Sequence, residues 1–327
     1  MIISRTPLRI SFVGGGSDIY DYYKNSPGAV LSTAIDKYIY IAVNKKFDNK
    51  IRASYSQTEI VSTVSKLKHE YIKECLKTVG IKGGIEITSI SDIPSEGTGL
   101  GSSSSYIVGL LNAFYAYVGK HVSAERLAQE ACRIEIETLK KRIGKQDQYI
   151  AAFGGMQNFV FYPSGKVGNI PIICSNLTKN KLQKNLLLLY TGKTRSSNTI
   201  LTEQISNIKS STEKRASMDK MVKLAQEMTL ALQNNKLKNF GKLLDENWKL
   251  KKSLAKSISS NQINRWYDTA IKNGAEGGKL LGAGGGGFLL FYADQKKHAS
   301  IIKSLPKLTP IEFSFENQGS KIIFVSD

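Results

Sequence analysis

The chain has 327 residues, 41% of them hydrophobic, enough for two domains or one large one with a sizeable core. Its 46 Lys and Arg against 27 Asp and Glu give a formal net charge of +19, so nucleic acid has to be weighed as a partner. The lysines are scattered, with short runs such as Lys249, Lys251 and Lys252 on a helical face and no dense arm interleaved with aromatics, and no apolar run approaches membrane-spanning length, so neither a nucleic-acid nor a membrane partner is expected.

Residues 2–13 read as a strand with Arg9 in its alternating second half, and Gly14-Gly15-Gly16 then turns the chain so that Ser17 and Asp18 arrive just beyond it. Strands are also predicted at 38–43, 51–55 and 85–90. Before the last of these, apolar residues from Ile60 to Val79 recur at helical spacing and predict one helix ending at Gly80.

Residues 94–105 read Pro-Ser-Glu-Gly-Thr-Gly-Leu-Gly-Ser-Ser-Ser-Ser. Gly97, Gly99 and Gly101 free the backbone for positive φ and let N–H groups approach an anion without Cβ interference. From Tyr106 to Val118 apolar residues recur every three or four positions, which puts the serines on the first turn of a buried helix, where unpaired N–H groups and the dipole favour a phosphate. A flexible Gly/Ser linker would not run straight into a core helix. The segment is read as a phosphate cradle.

Further on, Cys132–Leu139 is helical in pattern, which sets Glu135 and Glu137 about 200° apart at 3.6 residues per turn, so only one can face a site. Asp147 follows Gly144 in a turn that ends this long helical pattern. A strand at 156–162 follows. The second half opens with a strand at 186–190 and a cationic, donor-rich loop containing Lys193, Thr194, Arg195, Ser196 and Ser197. A helical region from about 196 to 273 comes next, with Met218, Met221 and Trp248 read as core. Strands at 288–292, 309–315 and 321–325 close the chain, with a helix between the first two.

Two common phosphate motifs fail. Gly192-Lys193-Thr194 lacks the earlier P-loop glycine, because Leu187 holds that position. Gly282, Gly284 and Gly287 satisfy the dinucleotide spacing, but a strand follows where a helix is required. Cys75, Cys132 and Cys174 have no metal spacing and read as buried thiols in a reducing compartment, and His69, His121 and His298 are isolated, which argues against histidine-based catalysis.

These glycine segments, in this order, resemble those of the GHMP kinases, the family named after galactokinase, homoserine kinase, mevalonate kinase and phosphomevalonate kinase. Pro94 to Ser103 matches the family's central motif, with Ser104 where alanine is usual, and Lys279 to Phe288 matches its C-terminal glycine motif. Within the family, Arg5–Asp18 and Gly144–Gly155 look most like the bacterial heptose 7-phosphate kinases, with the kinase part of fucokinases next. The resemblance implies an α+β, two-domain GHMP kinase fold. A ribosomal protein S5 domain 2-like N-terminal domain would span 1–165 and a ferredoxin-like C-terminal domain 166–327, with ATP held between them.

It also implies a set of roles. Pro94, Glu96, Gly97, Thr98, Gly99, Leu100, Gly101, Ser102, Ser103 and Ser104 would bind ATP. Asp147 would be the general base, with Arg9 holding it and neutralising charge on the moving phosphoryl group. Ser103 and Glu135 would hold Mg2+, with Glu137 as second choice. Gly15, Gly16, Ser17, Asp18, Lys193, Arg195, Ser196, Gly284 and Gly285 would contact the acceptor. Galactokinases carry Glu-His where this chain has Gly15 and Gly16, which should admit a larger or more anionic sugar. The expected reaction is ATP-dependent phosphorylation of the anomeric hydroxyl of D-glycero-D-manno-heptose 7-phosphate, for nucleotide-heptose and surface polysaccharide. Met1-Ile-Ile-Ser-Arg leads directly into structure, so a cytoplasmic enzyme is expected, with self-association left open.

Overall fold

The computed structural model describes residues 1–93, 97–194 and 197–326. Strand β1 (Ile2–Val13), a short helix α1 (Tyr20–Tyr23) and a long strand β2 (Gly28–Lys45) open the chain, followed by β3 (Ile51–Ser54), β4 (Thr58–Val61), α2 (Glu70–Val79) and β5 (Ile85–Ser91). Helices α3 (Ser102–Tyr117), α4 (Ala124–Cys132) and α5 (Gln146–Phe153) precede β6 (Met156–Phe161) and β7 (Val167–Pro171). Next come α6 (Asn176–Asn185), β8 (Leu186–Tyr190), α7 (Ser197–Ser210), α8 (Thr212–Gln233), α9 (Phe240–Leu254) and α10 (Asn261–Lys272). The chain ends with β9 (Gly277–Leu280), β10 (Phe288–Tyr292), α11 (His298–Ser304), β11 (Thr309–Pro310) and β12 (Lys321–Val325).

Two sheets result. The larger has eight strands in the order β12-β1-β2-β5-β3-β4, with β6 on β2 and β7 on β6. Strand β2 has 18 residues and changes partner along one edge, pairing Gly28–Thr33 with β6 and Ile39–Lys45 with β5 while β1 runs along the other edge. The C-terminal strand returns to this sheet, with Ile2 opposite Val325. The smaller sheet is antiparallel, in the order β11-β8-β10-β9.

Helix α3 crosses β1 and β2, and a glycine permits its close approach: a Cβ on Gly109 would sit 2.9 Å from Thr6 Oγ1. Helices α8 and α9 join the two halves, because α8 packs on β1 and β2 while α9 packs on β9, β10 and β1. Phe12, Phe114, Phe159, Trp248, Phe288 and Phe291 are fully buried. Each such side chain contributes roughly 1.5–3 kcal/mol by leaving water.

Three expectations from the sequence need correction. The apolar pattern from Ile60 is not one helix. Thr58–Val61 pairs with β3 as a hairpin, and α2 starts only at Glu70, where the His69 Nδ1 accepts from the Ile72 N–H at 3.5 Å. Its end at Gly80, with φ 87, is where the sequence put it. Strand β2 extends ten residues before the expected start at 38, because its first half is a buried partner for both β1 and β6. The expected strand at 309–315 shrinks to Thr309–Pro310 plus a bridge between Ile35 and Phe315.

Candidate active site

The cradle begins with Gly97, Gly99 and Gly101 at φ 66, 79 and 78, and Gly101 is the N-cap residue of α3. Such φ values favour glycine. The first turn of α3 therefore presents Ser102, Ser103 and Ser104 beside N–H groups that have no intrahelical acceptor. The C-terminal glycine loop backs this turn: a Cβ on Gly99 would meet Leu281 O at 2.5 Å, one on Gly282 would meet Gly99 Cα at 2.5 Å, and one on Gly287 would meet Thr98 O at 2.2 Å. The two loops share a backbone-to-backbone interface that only glycines allow.

Beneath the cradle, Arg9 on β1 is 4% exposed and grips Asp147 with both arms, Nε to Oδ1 and Nη2 to Oδ2, each at 2.7 Å. Its Nη1 donates to Gly99 O at 2.5 Å, and its backbone N–H donates to Leu100 O. A planar guanidinium fits this bidentate arrangement where lysine would not. Asp147 does not close a helix, as the sequence suggested. A new helix, α5, starts at Gln146, so Asp147 lies in its first turn, where the dipole favours a carboxylate.

Glu135 lies in a π-helical turn over Arg133–Thr138, in which Leu139 N bonds Ile134 O at 2.9 Å. Single π turns recur at functional sites. Glu135 is fully buried, and its Oε2 accepts from Ser104 Oγ at 2.7 Å and Gln148 Nε2 at 2.5 Å, while Oε1 has no partner. Burial pushes its pKa up to about 7, as does the nearby charge of Asp147, against the hydrogen bonds from Ser104 and Gln148. Glu137 is exposed.

On the acceptor side, Asp18 is 2% exposed and accepts from Gly16 N at 2.9 Å, Gln146 N at 3.1 Å and Gln146 Nε2 at 3.2 Å. Burial raises its pKa, as does the nearby charge of Asp147, against the two backbone donors. A Cβ on Gly15 would make only ordinary contacts, with Gln146 Nε2 at 3.7 Å and Ser11 Oγ at 3.8 Å. At Gly16 the volume given up is filled, since a Cβ there would lie 2.5 Å from Gln204 Nε2 and 3.1 Å from Lys251 Nζ. The expectation that both glycines enlarge the pocket therefore fails at Gly16.

Two buried cations that sequence reasoning did not place in the site complete it. Lys251, on α9, donates to Gln204 Oε1 at 2.7 Å and Gly15 O at 3.1 Å, and burial pulls its pKa down to about 8. Lys279, on β9, donates to Ser11 O at 2.8 Å and Phe12 O at 3.1 Å. Its pKa is lowered by burial first and then by Lys251 and Arg9. No motif flags Lys251, which stands in a run of surface-like lysines.

One cleft of about 550 Å3 is lined by Arg9, Gly15, Gly16, Asp18, Gly97–Gly99, Gly101–Ser104, Glu135, Asp147, Lys251 and Lys279. Several expected contacts stand apart from it. Ser17 is buried and bonds Ala29 O and N, Leu100 is buried behind the cradle, and Gly284 and Gly285 pack on Ile258. Lys193 directs its ammonium over the Trp266 ring at 5.7 Å, whereas its neighbour Thr194 lines the cleft. Pro94, Glu96, Arg195 and Ser196 lie outside the described residues. A second cavity of about 520 Å3 shares Tyr71, Ser102, Ser103 and Lys141 with the first and adds Tyr55, His69 and Tyr106.

The cradle, the Arg9–Asp147 pair and the flanking carboxylate over one cleft define a phosphotransferase with an alcohol acceptor. Residues 58–155 match the GHMP kinases N terminal domain and residues 228–308 the GHMP kinases C terminal domain. The chain is 32% identical to the D-glycero-alpha-D-manno-heptose 7-phosphate kinase of Campylobacter jejuni over 98% of each chain. It is 26% identical to the L-fucokinase/L-fucose-1-P guanylyltransferase of Bacteroides fragilis, over 98% of this chain and 38% of that protein. The fold matches the crystal structure of a D-glycero-D-manno-heptose 1-phosphate kinase from Bacteroides thetaiotaomicron with a TM-score of 0.82 at 24% identity, covering 100% of both chains. The chain belongs to the GHMP kinase family and has its two-domain fold; it is an ATP-dependent sugar kinase. Among the described residues, no helix is long and apolar enough to cross a membrane.

Proposed function

We propose that the enzyme transfers the γ-phosphoryl group of ATP to the anomeric hydroxyl of D-glycero-D-manno-heptose 7-phosphate, giving the 1,7-bisphosphate for nucleotide-heptose and surface polysaccharide synthesis in the cytoplasm. The observation that carries this reading is the bidentate Arg9–Asp147 pair set beneath the glycine cradle at the foot of the acceptor pocket. The Campylobacter relative, matched end to end, supports the choice of sugar. Nucleic acid is not expected as a partner, because the buried cations face a small cleft and not an open surface.

In this reading the triphosphate lies on Gly97–Ser104. The nucleoside extends into the second cavity, where Tyr55, His69 and Tyr106 supply ring faces next to Ser102 and Ser103. The acceptor rests against Gly15 and Asp18, beside Thr194. Each oxygen of Asp147 keeps a lone pair beyond the one given to Arg9, and this accepts the proton of the attacking hydroxyl. Arg9, which also holds Gly99 O, fixes the distance between base and cradle and lays positive charge along the transfer path.

Magnesium fits the residues present. It needs one or two hard oxygens from protein and takes the rest from phosphates and water, and the unpartnered Glu135 Oε1 beside the Ser103 hydroxyl offers such a pair. When bound there, the ion would neutralise phosphate charge. Among the described residues no cluster of three or more His, Cys, Asp or Glu could hold a metal without that help.

The test is ADP release with heptose 7-phosphate, mannose, fucose, galactose and mevalonate as acceptors. The phosphorylated heptose should give the highest kcat/KM; equal turnover of free fucose would move the assignment to the fucokinase branch.

A further inference from the structure

We propose that the Lys251 ammonium receives the non-reacting phosphate of the acceptor and thereby makes the enzyme select a sugar phosphate over the free sugar. This rests on the phosphorylated-acceptor reading above. It identifies the group that reads the phosphate, and that group is not in the 193–197 loop, where the sequence pointed.

Lys251 is 6% exposed, lines the cleft, and among the described residues has no carboxylate within ion-pair reach. Its two acceptors, Gly15 O and Gln204 Oε1, are neutral dipoles. A buried ammonium has three N–H groups and is costly to hold without a paired counter-charge; Asp18 acts on it only through space, so one donor remains for a ligand. An anion entering the cleft supplies what the protein leaves out.

Four residues earlier on the same face of α9, Asn247 Oδ1 accepts from Gly14 N at 3.0 Å. Its Nδ2 is buried without a partner, and the residue lines the same cleft. The two donors flank the glycine turn from one helix. Gly16, at φ 105, leaves room for the two side chains that meet there, since a Cβ would lie 2.5 Å from Gln204 Nε2 and 3.1 Å from Lys251 Nζ. Lys279 adds to the field but has its hydrogen bonds taken by Ser11 and Phe12.

The placement along the cleft also suits a phosphate remote from the reacting hydroxyl. Lys251 Nζ donates to Gly15 O, Gly16 N donates to Asp18 Oδ1, and Asp18 Oδ2 accepts from N of Gln146, the residue before Asp147, which sets Asp18 between the reacting end and the cation. A sugar spanning the two would meet Asp147 with one terminus and Lys251 with the other, its middle hydroxyls at Asp18.

The experiment compares kcat/KM for D-glycero-D-manno-heptose 7-phosphate and for the unphosphorylated heptose in wild type, Lys251→Met and Lys251→Gln. Losing a charge-assisted contact should cost about 10- to 100-fold on the phosphorylated acceptor, with a loss on the free heptose at least tenfold smaller and the KM for ATP little changed. The preference for the phosphorylated sugar then collapses. If wild type shows the preference and both variants keep it, the Lys251 assignment fails while the phosphorylated-acceptor reading stands. Equal losses on both acceptors would make Lys251 a ligand of the sugar ring or a scaffold residue and overturn the assignment. A wild type without preference would remove both. Should neither Lys251 variant melt cooperatively, Asn247→Asp supplies the test. It keeps the acceptor for Gly14 N and puts an anionic oxygen where the free donor was, so it should reduce the preference for the phosphate, and an unreduced preference would count against the proposal.

Discussion

Replacing Asp147 by Asn isolates the chemical step. The substitution preserves side-chain shape and one of the two 2.7 Å contacts from Arg9, but turns the other into a donor facing a donor. A charge-assisted hydrogen bond contributes roughly 1.5–3 kcal/mol when fully buried, and the 24% exposure of Asp147 places this one at or below the bottom of that range. Folding and ATP binding should therefore survive. Loss of a general base costs about 10² to 10⁴ in rate, which is about 2.7–5.4 kcal/mol of activation free energy, more than the lost contact accounts for. Arg9→Ala should be at least as damaging, since it removes the cation on the transfer path, leaves a bonded carboxylate and the Gly99 carbonyl without their donor, and opens a space next to a buried strand. Because both residues serve one step, the double variant should fall short of the summed effects by at least about 1 kcal/mol. Single-turnover kinetics at saturating ATP and acceptor, beside thermal melting of each variant, measure these quantities. An Asp147→Asn enzyme within a few-fold of wild type would show that Asp147 takes no proton and that positioning alone serves the transfer.

Further outcomes follow from the same geometry. Glu135→Gln should raise the magnesium requirement and depress kcat while Glu137→Gln changes little, because only Glu135 lines the cleft; a magnesium titration showing the reverse would exchange the two. Gly99→Ala combines φ 79 with a Cβ 2.5 Å from Leu281 O, so it should lower Tm and raise the KM for ATP more than that for the acceptor; an unchanged KM for ATP would detach the cradle from nucleotide binding. Burial lowers the folded-state pKa of Lys251 from 10.5 to about 8, so the unfolded chain binds the extra proton between these values and wild-type stability should rise with pH across that window relative to Lys251→Met, by at most about 3 kcal/mol. Denaturant unfolding at pH 7.5 and 10 reads that difference, and one that falls with pH would show that Lys251 has an anionic partner in the folded protein.

The glycine-rich segments were legible in the sequence because backbone requirements leave a direct mark on it. Positive φ at Gly97, Gly99 and Gly101 and a strand behind Gly287 could be read without a structure. Arg9 and Asp147 were legible as a pair through the resemblance to the family, although the helix start that carries Asp147 was not, since Gly144 suggests an end as readily as a beginning. The acceptor floor was not legible. Lys251 and Asn247 belong to a helix whose sequence looks lysine-rich and solvated, and they become site residues only because α9 packs its face on β9 and on β1 just ahead of the Gly14–Gly16 turn. Gly16 carried the signal in a misleading form: its missing side chain reads as a larger pocket, whereas the space belongs to Gln204 and Lys251. The hairpin of β3 and β4 was missed for a related reason, because its apolar residues Ile60 and Val61 continue the helical spacing of α2 by chance while pairing fixes them as strand.

The central claim is tested most directly by identifying the product. With ATP, magnesium and D-glycero-D-manno-heptose 7-phosphate, phosphorus NMR should show one new sugar phosphate resonance coupled to the anomeric proton, growing in step with ADP, while the 7-phosphate resonance persists. ADP formed without an anomeric phosphate, or a phosphate on any other hydroxyl, would contradict the account.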